Sequence, residues 1–138
     1  MPDVLLATDA DWIHDEVEAA LGGDHVVHRL RQGAEVPDEV LRLTPALVVL
    51  DLQIGNMGGM ATCMALRLDA GAGRLPHQPI LMLLDRADDV FLAKRSEADG
   101  WLVKPLDAFR LRRAATALLD GGEWRERAGA GSTTSKQT

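Results

Sequence analysis

The chain has 138 residues, enough to bury one core and too few for two ordinary domains. Its 15 Lys and Arg against 21 Asp and Glu give a net charge of −6, which argues against non-specific binding to nucleic acid or to an anionic membrane. The single cysteine, Cys63, excludes an internal disulfide and is expected to be a core filler. No apolar run is long enough to span a membrane and no signal pattern opens the chain, so a cytoplasmic location is expected.

Five apolar stretches of strand length recur along the chain and predict β-strands. They cover residues 4–8, 25–30, 46–52, 79–84 and 101–103. The third and fourth do not alternate between apolar and polar residues, which is typical of strands buried on both faces of a parallel sheet. Helical spacing predicts helices over 12–21, 33–43, 60–69 and 88–98. After a cap at Asp107, it predicts a last helix that turns Phe109, Leu111, Ala114, Ala115 and Leu118 inward.

Strands that alternate with helices predict an α/β fold, in which five helices cover both faces of a parallel sheet. An open, doubly wound sheet of five strands is favoured over a closed barrel, because a barrel needs about 250 residues. Packing is predicted to end at Gly121-Gly122, which gives a domain over residues 1–120. The polar residues 121–138 are predicted to be a disordered tail or a linker remnant.

Charged side chains follow three of the predicted strands. Asp9 follows the first, Asp51 the third and Lys104 the fifth, and right-handed crossovers bring these strand ends to one edge of the sheet. Mg²⁺ prefers oxygen ligands such as the two carboxylates, and the lysine can pair with a bound anion. The pattern favours a phosphoryl group held beside Mg²⁺. A nucleotide site is poorly supported, because no glycine-rich phosphate cradle follows the first strand.

This set of residues resembles the receiver domain of response regulators, the fold of the chemotaxis response regulator. The matching residues are Asp9, Asp51 and the pair Lys104-Pro105, together with Pro79 at the entry to the fourth strand. The resemblance covers about residues 3–120. It implies a flavodoxin-like sheet with the strand order 2-1-3-4-5, and a signalling domain rather than an enzyme.

The resemblance also implies a site and its partners. Asp51 would accept a phosphoryl group from a histidine kinase or a small phosphodonor. Mg²⁺ would be held by Asp9, Asp51 and the backbone carbonyl of Gln53, while Lys104 would bond the phosphoryl oxygens and its bond to Pro105 would be cis. A downstream protein would bind the face formed by the fourth helix, fifth strand and fifth helix. Homodimerisation remains open, and no direct contact with nucleic acid or membrane is expected.

Several positions depart from the family pattern. Thr8 stands where the first of two adjacent carboxylates is usual, and Leu84 stands where a Ser or Thr would bond the phosphoryl group. Gly55 and Gly58 replace a usual proline and a usual acidic residue. Trp101, at the position of the moving aromatic, is interpreted either as an interface anchor or as a packed lid over the site. These departures predict a receiver that keeps its acceptor and alters its read-out.

Two other functions remain open. The first is a pseudo-receiver, a scaffold of the same fold that works without phosphorylation. Thr8 and Leu84 favour it, whereas the intact pair of Asp51 and Lys104 argues against it. The second is a small α/β enzyme acting on a phosphorylated ligand. It would need a nucleophile paired with a base, and no Ser-His or Cys-His arrangement is evident at the predicted strand ends.

Overall fold

The structure, a computed structural model, describes residues 1–126 and 132–133. Five strands form one sheet: β1 (Asp3–Ala7), β2 (Val26–Leu30), β3 (Leu47–Asp51), β4 (Ile80–Leu84) and β5 (Gly100–Val103). All neighbouring strands of this sheet are parallel, and their order is β2-β1-β3-β4-β5. This arrangement confirms the predicted doubly wound α/β fold.

Five α-helices connect and cover the strands. They are α1 (Asp11–Leu21), α2 (Val36–Leu43), α3 (Gly59–Gly71), α4 (Val90–Arg95) and α5 (Ala108–Leu119). Short 3₁₀ turns at Gly33–Glu35 and Ala87–Asp89 lead into α2 and α4, so two of the predicted helices begin later than expected. The fourth also ends early, because Glu97 adopts a left-handed φ of 66° that a helix cannot continue. No helix within the described residues is both long and apolar enough to cross a membrane.

The central strands β3 and β4 are buried on both faces, which explains why they are uninterrupted apolar runs. Every residue of β3 and β4 is buried. Along β3, Leu47 and Val49 join the apolar cluster that contains residues of α1 and α5, whereas Val48 and Leu50 join the cluster on the side of α2, α3 and α4. Alternate side chains of a strand point to opposite faces, so each layer of helices packs against every second side chain of the strand.

Cys63 lies in the second of these clusters and is fully buried, as expected of a core filler. Its thiol donates to the backbone oxygen of Ser96 at 3.2 Å. Burial is the main reason that the pKa of Cys63 rises from 9.0 to about 11. The native thiol is therefore expected to react with a disulfide reagent at pH 8 at least about a hundredfold more slowly than in guanidinium chloride. Absorbance of the released thiolate measures both rates, and equal rates would contradict the buried position.

The same raised pKa gives the thiol a pH-dependent contribution to stability. The unfolded chain ionises at Cys63 first, because its pKa there is the ordinary 9.0. The contribution is therefore fully present below pH 9 and is lost as the pH rises towards 11.

The last helix follows the prediction except at one residue. The Asp107 carboxylate caps α5 by accepting a hydrogen bond from the backbone N–H of Arg110 at 2.8 Å. Leu111 and Leu118 are buried as predicted, but Phe109 is 64% exposed, so its predicted inward position is wrong. At about 100° per residue, position 109 lies on the side of the helix opposite Leu111. There the ring lies 5.5 Å from the guanidinium carbon of Arg113.

The packed part of the chain extends past the predicted boundary at residue 120. After α5, Gly121 takes a φ of 87° and the chain returns to the sheet, where Trp124 is only 4% exposed. The backbone oxygen of Trp124 accepts a hydrogen bond from the N–H of Trp101 at 2.9 Å, and Trp124 forms a parallel bridge with Gly100. A side chain at residue 100 would lie 2.7 Å from that oxygen, so glycine permits the approach.

Beyond Trp124, the strands β6 (Arg125–Glu126) and β7 (Ser132–Thr133) pair antiparallel. The remainder of the predicted tail, residues 127–131 and 134–138, lies outside the described residues.

Candidate functional site

Asp51 is the last residue of β3 and lies at the carboxyl edge of the sheet. It is only 4% exposed. One of its oxygens, Oδ1, accepts hydrogen bonds from Nζ of Lys104 at 2.7 Å and from the backbone N–H of Gln53 at 3.1 Å. The other oxygen, Oδ2, accepts from the hydroxyl of Thr8 at 2.7 Å. The structure thus brings Asp51 and Lys104 together as predicted, and the Lys104-Pro105 bond is cis.

Thr8 supplies a contact that the sequence did not reveal. Its side chain is fully buried, and its hydroxyl accepts a hydrogen bond from the N–H of Ala10 at 3.1 Å while donating to Asp51. These two bonds fix the hydroxyl in one orientation. The position that lacks the usual carboxylate therefore holds a neutral donor aimed at the acceptor residue. The sequence feature that could have indicated this contact is a short hydroxyl side chain at the end of a strand.

Asp9 is held by the loop that follows β3. Its Oδ2 accepts a hydrogen bond from the backbone N–H of Gly55 at 2.8 Å. A side chain at residue 55 would lie 2.9 Å from the same oxygen. Proline at this position would have no N–H to donate. The departure from the family pattern at Gly55 therefore creates a bond to the predicted metal ligand.

The loop itself is supported by the 3₁₀ turn before α2. The N–H groups of Gly33 and Ala34 donate to the backbone oxygens of Gly55 and Asn56 at 3.2 and 3.0 Å. A side chain at Gly33 would lie 1.9 Å from the backbone oxygen of Met57, so only glycine allows the two segments to approach this closely. The backbone beside Asp51 is thereby fixed from a neighbouring element.

Asp85, directly after β4, is a further member of the site that sequence reasoning missed. Its Oδ1 accepts a hydrogen bond from Nζ of Lys104 at 2.7 Å, so the ammonium group lies between Asp85 and Asp51. Burial of the ammonium opposes its charge, but the bonds to the two carboxylates outweigh burial and raise the pKa of Lys104 above its ordinary value. Lys104 is therefore positively charged at neutral pH and donates to both carboxylates.

Leu84 and Trp101, the two expected switch positions, belong to the apolar core. Both are buried in the cluster on the side of α2, α3 and α4. The burial of Trp101 rules out its interpretation as an exposed interface anchor in this structure. Its ring lies 5.6 Å from the guanidinium carbon of Arg125, in the segment that follows α5. No hydroxyl is available at position 84, because leucine occupies it.

The oxygen atoms at this edge suit a hard divalent cation. Asp9 lies two residues after β1, and Asp51 is the last residue of the adjacent strand β3. Mg²⁺ commonly takes one or two carboxylates and completes its shell with other oxygens. Within the described residues, no group of three or more His, Cys, Asp and Glu side chains is arranged to hold a metal ion. The donor set therefore fits Mg²⁺ only with a backbone oxygen, such as that of Gln53, or with water in addition.

Known proteins with similar sequences are response regulators. No family model matches the chain. The DNA-binding response regulator MtrA of Mycolicibacterium smegmatis is 39% identical over 93 residues, which cover 66% of this chain and 38% of that protein. The DNA-binding dual master transcriptional regulator RpaA of Synechocystis is 31% identical over 122 residues, 86% of this chain and 49% of that protein. The chain thus spans less than half the length of either relative.

Solved structures share the fold. The chemotaxis response regulator CheY4 of Vibrio cholerae superimposes with a TM-score of 0.75 at 24% identity, over 86% of this chain and 98% of that one. The signal receiver domain of a histidine kinase from Syntrophus aciditrophicus gives a TM-score of 0.76 at 22% identity, over 88% and 92%. These structures establish the fold, and the sequence relatives establish the family. The chain is a response-regulator receiver domain of the two-component type.

Proposed function

We propose that Asp51 accepts a phosphoryl group from a histidine kinase or a small phosphodonor, and that the domain signals by protein contact. The supporting observation is the hydrogen bond of 2.7 Å between Lys104 and Asp51. An oxygen of Asp51 attacks the phosphorus of the donor, and with acetyl phosphate the electron pair of the broken P–O bond leaves with acetate. The fixed positive charge of Lys104 offsets the negative charge that gathers on the phosphoryl oxygens.

Mg²⁺ is proposed as the cofactor. It would be held by Asp9, Asp51 and the backbone carbonyl of Gln53, and it would supply positive charge beside the phosphoryl oxygens. Asp51 already accepts from Thr8 and Lys104, and Asp9 from the N–H of Gly55. A cation must compete with these donors, so weak Mg²⁺ binding is expected.

The proposed output surface is the face formed by α4, β5 and α5. Two large apolar side chains are exposed on its helices, Phe91 on α4 and Phe109 on α5, and aromatic residues often anchor protein interfaces. A downstream protein or a second copy of the chain would bind there. DNA binding is a property of the longer relatives, and this domain, with a net charge of −6, is not expected to contact nucleic acid directly.

A phosphorylation-independent scaffold is the second candidate. Both oxygens of Asp51 already have donors, so the carboxylate is satisfied without a phosphoryl group. The other hypothesis, an enzyme acting on a phosphorylated ligand, is not supported by a comparable observation. The hydroxyl of Thr8 donates to Asp51 and would be the candidate nucleophile of such an enzyme, but it is fully buried and out of reach of a substrate.

Incubation with Mg²⁺ and acetyl phosphate is expected to add one phosphoryl group to the protein, seen in its intact mass. Asp51→Asn should abolish the gain, because an amide lacks the nucleophilic oxygen of the carboxylate. Asp24→Asn removes the same charge from an exposed residue, and this variant should be phosphorylated like the wild type. Hydroxylamine should remove the group, as expected of an acyl phosphate. If the wild type gains no mass, and tryptophan fluorescence does not change with Mg²⁺, the scaffold function is favoured instead.

A further inference from the structure

Asp85 and Asp51 share one cation. Nζ of Lys104 donates to one oxygen of each carboxylate at 2.7 Å. The side chains of Asp51, Lys104 and Asp85 are 5%, 13% and 30% exposed. Since both oxygens bond the same nitrogen, they are no further apart than the sum of the two hydrogen-bond lengths. Two carboxylates this close repel each other unless the ammonium stays between them.

Asp85 also depends on Lys104. Its second oxygen, Oδ2, is buried and has no hydrogen-bond partner within the described residues. If the ammonium turned fully towards another anion, Asp85 would be left as a carboxylate with one buried oxygen unpartnered and the other without its cation. Such a state is unfavourable, because a partly buried charge loses its compensation.

Phosphorylation of Asp51 would create such a competing anion. A phosphoryl group carries more negative charge than the carboxylate it modifies, and it would be attached to the residue that shares Lys104 with Asp85. We propose that Asp85 competes with the phosphoryl group on Asp51 for Lys104 and thereby lowers the phosphoryl occupancy of the domain. Asp85 is then a positioning residue that acts through Lys104. This inference rests on the proposed acceptance of phosphoryl by Asp51.

Asp85→Asn is expected to lower the acetyl phosphate concentration that gives half-maximal phosphorylation by about tenfold, since it removes a charge-assisted bond that holds Lys104 back. Steady-state intact mass over a range of acetyl phosphate concentrations measures this. Asp85→Glu keeps the charge and should behave like the wild type. Asp88→Asn removes a charge from an exposed residue of the nearby 3₁₀ turn and should have no effect. An occupancy in Asp85→Asn equal to or below that of the wild type would overturn the competition.

A second readout examines the ion pair without phosphorylation. Limited acetylation with acetic anhydride, mapped by mass spectrometry, is expected to modify Lys104 several-fold faster in Asp85→Asn, with exposed Lys94 as the internal reference. An unchanged rate would overturn the restraint by Asp85. If Lys104 reacts faster but no variant gains a phosphoryl group, the ion pair exists, and phosphoryl acceptance and the competition both fail. The two failures are thus distinguishable.

Discussion

Replacing Trp124 with alanine is expected to lower the free energy of unfolding by about 3–5 kcal/mol, the usual effect of deleting a large buried aromatic ring. The ring lies in the core cluster with residues of α1 and α5, although the residue falls in a segment of polar composition. The guanidinium carbon of Arg113 lies 5.7 Å from its centre and covers it. Urea unfolding followed by far-ultraviolet circular dichroism measures the loss.

Two matched variants control this prediction. Trp12→Ala removes an indole that is 49% exposed and should cost less than about 1 kcal/mol. Trp124→Phe should lie within about 1 kcal/mol of the wild type, because the buried indole N–H of Trp124 has no partner in the described structure and phenylalanine removes that donor. Equal stability losses for Trp124→Ala and Trp12→Ala would show that the segment after α5 does not pack on the domain.

Lys104→Met is expected to reduce both stability and phosphoryl acceptance. Methionine keeps much of the apolar stem and removes the charge, so Asp51 and Asp85 face each other without a cation. Breaking a buried ion pair typically costs about 3–5 kcal/mol, and solvent at the partly exposed Asp85 lowers the expected loss to about 2–3 kcal/mol. Phosphorylation by acetyl phosphate should slow by about a hundredfold or more, because the charge beside the phosphoryl oxygens is lost.

The matched control for this change is Lys94→Met, which removes the same charge from an exposed position on α4. It should leave the urea midpoint and the phosphorylation rate within error of the wild type. The assignment of Lys104 to the phosphoryl site would be wrong if Lys104→Met were phosphorylated as fast as Lys94→Met. A loss of stability alone would then mark Lys104 as a structural ion-pair partner.

The fold was largely predictable, because burial on both faces leaves a direct trace in the sequence. The apolar runs of β3 and β4 are uninterrupted because each strand packs against a helical layer on both faces. The pairing of Asp51 with Lys104 was predictable for a related reason, since both follow strands whose ends share an edge. The strand order came from the family resemblance and not from periodicity.

The remaining parts of the site depend on side-chain direction and loop path, which residue spacing does not determine. The family pattern identifies Thr8 only as a missing carboxylate, whereas its hydrogen bond to Asp51 depends on a hydroxyl orientation that the N–H of Ala10 helps to fix. Asp85 reaches Lys104 because the chain turns after β4 into the 3₁₀ turn Ala87–Asp89. The burial of Trp124 depends on contacts with residues distant in sequence, and the polar composition of its own segment does not indicate them.

The bridge between Trp124 and Gly100 affects how this protein can associate. The outer strand of an open sheet carries N–H and C=O groups that can pair with a strand from another chain, and proteins commonly cover such edges. At the start of β5, the N–H of Trp101 is already bonded to Trp124, and the N–H of Trp124 donates to the oxygen of Asp99 at 3.4 Å. The chain thus blocks this part of its own sheet against edge-to-edge aggregation. A partner that adds a strand here must first displace Trp124.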